Sequence, residues 1–386
     1  MKNILKKIFL LTILILSLES KEIKIGMSAD FSGPIDYLGN SMKTGIQTYL
    51  NVINKTSENK YKLITLDDKY NPISASKNVR KLINEDKVVA FLGNLGTPTA
   101  NVTVPIVNEN KIVSFGAYSG GGVLRNPSSN EYIFNYRASY SQEAYYIILN
   151  LLKQGINPEE MAFFTQNDTY GDSGYYGAIK ALRDSGYENI SKVVHSRYTR
   201  GTENIENALS KILESNKKIK IILMVSVDKP TIKFIKYAKE DFPDIKFFSL
   251  SPINTSVLIE KLGEYSKDIY ITQVVPLLNS NLQIVKEFRK NIKNEFPLIK
   301  PDFISLEGYI IAKLFIEGIK DIKNEDINSE NIFDELNQLK KIDIGLGFES
   351  SFDKRTHQYS SKIWLTGIKN NEIVEVSWDS IFKDKD

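Results

Sequence analysis

Short β-branched runs alternate with longer segments of helical period along most of this chain, and that beat constrains its fold more than any other feature. Residues 23–27 read as a strand, and 41–54 as a helix in which Ile46, Tyr49, Leu50 and Ile53 share one face. Strands at 63–66, 88–92 and 112–115 then alternate with helices at 75–84 and 99–110. This is the pattern of a parallel sheet covered by helices. A turn-rich stretch, 116–130, interrupts it, followed by a strand at 132–136 and a helix at 142–153. The beat restarts with strands at 161–165, 193–198, 219–225 and 245–248, separated by helices at 175–184, 205–214 and 231–241. Two doubly wound α/β units in one chain predict two lobes around a cleft. Beyond residue 267 the pattern loosens into a strand at 269–273, helices at 282–295, 304–319 and 332–339, and a hairpin of strands 363–368 and 372–376.

The amino terminus predicts export. Lys2, Lys6 and Lys7 precede an apolar run at 8–16, with small residues at Ser17 and Ser20, which describes a signal peptide of residues 1–20 cleaved after Ser20. The run is about half the ~20 residues a membrane span needs. Three lysines against Glu19 give the leader a charge of +2, which leaves about +1 of the total +3 for a nearly neutral mature chain. That balance does not call for nucleic acid or a charged membrane. Cysteine is absent, so disulfides, thiolate metal sites and a lipidated cysteine anchor are excluded, and a soluble periplasmic protein is expected.

Three loops at the carboxyl ends of strands carry polar candidates. In Gly93-Asn94-Leu95-Gly96-Thr97-Pro98, Thr97 suits the N-cap and Pro98 the first helical position. The helix start is then either an ordinary cap or a site for an anionic group such as a carboxylate. In Gly116-Ala117-Tyr118-Ser119-Gly120-Gly121-Gly122 the glycines allow close backbone approach and Tyr118 and Ser119 offer hydroxyls, or the segment is simply a turn. A nucleotide site is disfavoured, because no Lys-Ser or Lys-Thr follows the glycines. In Gln166-Asn167-Asp168-Thr169-Tyr170, Tyr170 and Asn167 could meet a ligand from the opposite lobe, and Asp168 could equally cap the next helix. Catalysis finds little support. His195 and His357 are the only imidazoles, and no nucleophile elbow, metal-spaced cluster or zinc-protease motif is present. No cofactor is expected.

Ile25-Gly26 with Phe31-Ser32-Gly33-Pro34, Asp67-Asp68 with Asn71-Pro72, the 93–97 loop, Tyr136-Arg137-Ala138-Ser139, Asn167-Asp168 with Tyr170-Gly171, and Gln273-Val274-Val275-Pro276 together resemble the branched-chain amino acid binding proteins of ABC importers. The resemblance implies a type I periplasmic binding fold, two doubly wound α/β lobes joined by three hinge crossovers near 138–142, 273–276 and 345–348. The first lobe would comprise 21–139 plus 275–346, the second 140–274 plus 347–386. It also implies a ligand carboxylate held by Thr97, Tyr118, Ser119 and Gly120, with Tyr37 or Leu38 over its side chain. The candidate site is Tyr37, Leu38, Leu95, Gly96, Thr97, Ala117, Tyr118, Ser119, Gly120, Ser139, Gln142, Glu143, Asn167, Tyr170, Asp228, Ser251 and Gln273.

One departure bears on the ligand. Where amino acid binders of this family keep an acid, after strand 245–248, this chain has Ser249-Leu250-Ser251-Pro252. Glu143 and Asp228 are left to meet an ammonium, so an amide, a carboxylic acid or an aromatic acid rivals an amino acid. The expected protein is a monomer that captures a small molecule and delivers it to membrane permease subunits. The alternative is a ligand-sensing subunit that docks on a membrane kinase or chemoreceptor.

Overall fold

The computed structural model describes residues 21–382 apart from 127, 216 and 339, so the expected signal peptide lies outside the described residues. The chain opens with β1 (Glu22–Ala29), α1 (Asp36–Ile53), β2 (Lys60–Asp67), α2 (Pro72–Asn84), β3 (Ala90–Leu92), α3 (Thr97–Glu109), β4 (Val113–Phe115) and β5 (Ile133–Phe134). These strands form one parallel sheet in the order β2-β1-β3-β4-β5, with Glu22 to Ala29 in register against Lys60 to Asp67. The strand order reverses between β1 and β3. The loop that leads into α3 therefore emerges at the topological switch point, where open α/β sheets bind ligands.

The second unit runs through α4 (Tyr140–Lys153), β6 (Met161–Gln166), α5 (Thr169–Asp184), β7 (Val194–Tyr198), α6 (Glu206–Leu213), β8 (Ile221–Val225), α7 (Asp228–Asp241), β9 (Lys246–Ser249), α8 (Thr255–Leu262) and β10 (Ile269–Gln273). After β10 the chain returns to the first lobe as α9 (Gln283–Glu295), α10 (Phe303–Ile319) and α11 (Ser329–Leu336). Ile284, Phe288, Ile310 and Phe315 share a core there with Ile25, Met27, Leu50 and Leu92. The chain ends with β11 (Trp364–Lys369), β12 (Glu372–Glu375) and α12 (Trp378–Phe382). The second sheet has the order β12-β11-β10-β9-β8-β6-β7, and β11 runs antiparallel to β10 and to β12. Lys369 pairs with Glu372, so Asn370 and Asn371, at φ 51° and 61°, form the tight hairpin turn; asparagine tolerates that backbone region.

The third passage between the lobes differs from the expected 345–348. Asn135 N–H donates to His357 O at 2.9 Å and Tyr359 N–H to Asn135 O at 2.8 Å, which holds this segment beside β5. Phe352 packs at a tilt against Phe134 with ring centroids 4.6 Å apart, and Tyr359 against Phe115 at 5.5 Å. Apolar burial against these rings keeps the chain on the first lobe until it leaves for β11 after Ser360. Among the described residues, no helix is long and apolar enough to cross a membrane.

Candidate ligand-binding site

The loops after β3 and β4 lie side by side: Leu95 and Tyr118 bridge, Tyr118 N–H donates to Asn94 O at 2.8 Å and Gly96 N–H to Tyr118 O at 3.3 Å. The cap of α3 is Gly96 rather than Thr97, because the backbone turns there at φ 98° and a Cβ would lie 2.7 Å from the Tyr70 ring. Thr97 is instead the first helical residue. Its Oγ1 lies 2.8 Å from Ser119 Oγ, and both hydroxyls are buried where the helix amides and dipole point. Ser119 Oγ also accepts from Gly121 N–H at 3.1 Å. Two of the three consecutive glycines serve the protein's own packing: a Cβ on Gly120 would meet Tyr140 at 2.5 Å, and one on Gly121 would meet Thr97 at 2.4 Å.

The opposite wall comes from the second lobe. Asp168 caps α5, accepting from Tyr170 N–H at 3.0 Å and Gly171 N–H at 3.4 Å, while Asn167 is exposed. Tyr170 turns inward, edge-on to Tyr140 at 4.9 Å, and its hydroxyl donates to Ser226 O at 3.4 Å. Leu38, Leu95, Gly96, Thr97, Tyr118 and Tyr170 thus surround one inner cavity of about 20 Å³, together with Ile35, Tyr70, Tyr140, Val227 and Pro252. The latter five were absent from the sequence-derived set. Tyr70, Val227 and Pro252 all follow the carboxyl ends of strands β2, β8 and β9, so the rule that singled out Thr97 would have found them.

The hinge residues are occupied differently. Ser139 and Gln142 form a capping box for α4, and Gln142 Oε1 also accepts from Gln358 Nε2 at 3.1 Å. Glu143 is fully buried and accepts from Ser251 N–H at 2.8 Å, Ser251 Oγ at 2.9 Å and Thr272 Oγ1 at 2.5 Å. Arg137 is equally buried, 3.7 Å from both Glu143 and Glu307, with its guanidinium 4.7 Å from the Tyr118 ring centre and a hydrogen bond to Ser251 Oγ. Burial pushes Glu307 up to about 7, opposed by the Arg137 charge. Arg125 donates to Ser119 O, Gly121 O and Arg137 O, and burial and the Arg137 charge pull it down to about 9. Gln273 is buried beside Trp364, its β11 pairing partner, and Ala117 lines a separate small cavity with Ser28 and Asp68.

Tyr37 and Asp228 face a larger chamber of about 630 Å³ between the start of α1 and the start of α7. Asp228 Oδ1 accepts from Asn254 N–H at 3.0 Å; Oδ2 is buried without a hydrogen-bond partner, as is Tyr37 Oη. Burial pushes the Asp228 carboxyl up to about 7 and, with the nearby carboxylate, raises the Tyr37 phenol well above its usual range. His195 lies elsewhere, stacked on Tyr175 at 4.0 Å with Nε2 2.8 Å from Thr165 Oγ1, and burial pulls it down to about 4.

Two sheets with this strand order, joined by three passages and enclosing tyrosines and paired hydroxyls, have counterparts among known proteins. Residues 22–372 match the family described as periplasmic binding protein. The chain belongs to that family. It is similar to a possible leucine/isoleucine/valine-binding protein of Rhodopirellula baltica, with TM-score 0.90, 35% identity, and coverage of 95% of this chain and 99% of that one. A branched-chain amino acid ABC transporter structure from Thermus thermophilus with bound valine aligns with TM-score 0.79 at 18% identity, over 93% of this chain and 96% of that one. A solute binding protein of an R. palustris ABC transporter, in complex with benzoate, aligns with TM-score 0.79 at 16% identity, over 92% and 95%. The family and fold are those of substrate-binding proteins, and the type I periplasmic binding fold implied by the sequence is the fold of this chain.

Proposed function

We propose that the protein is the periplasmic capture component of an ABC importer and that it takes a small carboxylate-bearing molecule between its lobes. The observation that carries this reading is the Thr97–Ser119 hydroxyl pair at the start of α3, covered by Tyr118, Tyr70 and Tyr170. Free helix amides, two hydroxyls and the dipole favour an anion there. Valine and benzoate, the ligands named for two neighbours, have a carboxylate in common. The chain does no chemistry; the ligand binds the closed form better than the open one, and the closed form is what a permease would recognise.

The ligand's α-position is where this chain departs from an amino acid site. Glu143, the acid nearest the hinge, is spent on Ser251, Thr272 and Arg137, and Ser251 stands in place of a second acid. An α-ammonium beside the Thr97 carboxylate subsite therefore gains no charge partner from either residue, and an uncompensated buried charge is costly. The carboxylic acid that lacks the amine should bind at least as well as its amino acid. Calorimetry with leucine and 4-methylpentanoate tests this; micromolar leucine with no detectable 4-methylpentanoate would return the protein to ordinary amino acid capture.

A further inference from the structure

The inner cavity and the outer chamber share Ile35, Tyr70 and Val227 as a common wall, so the two adjoin between the lobes. The inner one holds about 20 Å³ and the outer about 630 Å³. The outer compartment contains two unspent polar atoms, Asp228 Oδ2 and Tyr37 Oη, contributed by opposite lobes. Asp228 is 4% exposed, and its other oxygen is already committed to Asn254. Buried carboxylate oxygens of this kind are normally hydrogen-bonded; this one has the Tyr37 hydroxyl near it across the cleft but no donor within hydrogen-bond distance.

Building on the carboxylate-capture reading, we infer that Asp228 and Tyr37 form a distal subsite that reads a cationic nitrogen on the ligand. The ligand class is then an ω-amino carboxylate, a zwitterion whose ammonium is separated from its carboxylate by a chain, rather than an α-amino acid. Asp228 Oδ2 accepts from the ammonium in a charge-assisted bond, and the tyrosine oxygen accepts a second. The Tyr70 and Tyr37 side chains line the same wall, and the Arg200 guanidinium already lies 5.7 Å from the Tyr70 ring centre. Four lysines lie along the outer lining: Lys233 is held by Glu206 at 2.6 Å and Lys261 by Glu260 at 2.7 Å, Lys229 is exposed to solvent, and Lys236 is half-buried. Asp228 is the more deeply buried of these ionisable groups, and an ammonium beside it would favour its charged form.

Three six-carbon probes separate the possibilities: hexanoate, 6-aminohexanoate and hexanedioate, each titrated calorimetrically into the mature protein. The subsite predicts that 6-aminohexanoate binds about tenfold or more tighter than hexanoate, with hexanedioate weakest. Asp228→Asn should abolish that preference by bringing the two affinities together, and Tyr37→Phe should reduce it. Equal or tighter binding of hexanoate or hexanedioate by the unmodified protein overturns the subsite, yet leaves carboxylate capture standing. The wild-type ratio decides this even where a variant does not fold. No binding of any of the three overturns the subsite and the capture reading together.

Discussion

At the residue scale, the site turns on which polar groups the fold has already used. Thr97 and Ser119 hold each other, and the Thr97 hydroxyl is a single contact whose loss can be measured. Thr97→Val should weaken carboxylate binding by roughly 1–3 kcal/mol, the range for a hydrogen bond to a charged group. Unchanged affinity of a folded variant in calorimetry would remove the carboxylate from this helix start. Asp228 gives a pH test. Its folded pKa, about 7, lies above the unfolded value near 4, so the folded state binds the proton more tightly. Stability linked to this group is complete at low pH and is lost as pH rises through about 7, at most about 1.4 kcal/mol per pH unit. Asp228→Asn removes that dependence. Its melting temperature without ligand should therefore exceed that of the unmodified protein at pH 8, with the difference shrinking toward pH 5. A difference that stays constant across this range would show that the carboxyl is not perturbed in the folded protein.

At the element scale, α1 and α10 pack backbone against backbone, and Gly45 is the reason they can. A Cβ on Gly45 would lie 1.9 Å from Ser305 O, so Gly45→Ala must separate the helices and should cost about 2–3 kcal/mol in denaturant unfolding. Gly122→Ala is the control. Nothing lies within 4 Å of a Cβ there, and its effect should stay within about 0.5 kcal/mol. The elements themselves were legible because periodicity is local: each strand of the parallel first sheet and of the mixed second sheet, its terminal hairpin included, follows from apolar spacing. The third passage was not, because Phe352 and Tyr359 belong to the first lobe through contacts with Phe134 and Phe115, more than 200 residues away. The site was legible in the same measure. Thr97, Tyr118 and Tyr170 follow strand ends, and the strand-end rule alone places them. Glu143 read as a free acid since no sequence pattern shows that Ser251, Thr272 and Arg137 converge on it. Arg137 stood in plain view as a signature residue, but its position between Glu143 and Glu307 depends on three separate elements meeting at the hinge.

At the scale of the whole molecule, the hydrogen bonds across the mouth of the cleft are thin among the described residues, beside the Arg200 guanidinium of the second lobe 5.7 Å from the Tyr70 ring centre of the first. Asn101 Nδ2 reaches Thr169 Oγ1 at 3.0 Å, Gly122 N–H reaches Ser173 Oγ at 3.5 Å, and Gln166 Nε2 reaches Tyr70 Oη at 3.5 Å; the first two are exposed. Exposed hydrogen bonds of this length contribute little against water. The hinge is the opposite case. Arg137 sits beside the first passage and joins Glu307 of the first lobe to Glu143 and Ser251 of the second, all buried. Removing one partner of such a set leaves the others charged and unpaired, so Arg137→Met should cost about 3–5 kcal/mol. A strong pivot with a weakly latched mouth predicts motion about the hinge, with closure stabilised by whatever binds between the lobes. Small-angle scattering should therefore give a smaller radius of gyration at saturating ligand than without it. Asn101→Ala, which removes one latch contact, should leave the liganded value unchanged because the ligand itself holds the lobes together. An identical radius with and without a ligand bound at micromolar affinity would mean that capture occurs in a cleft that does not close.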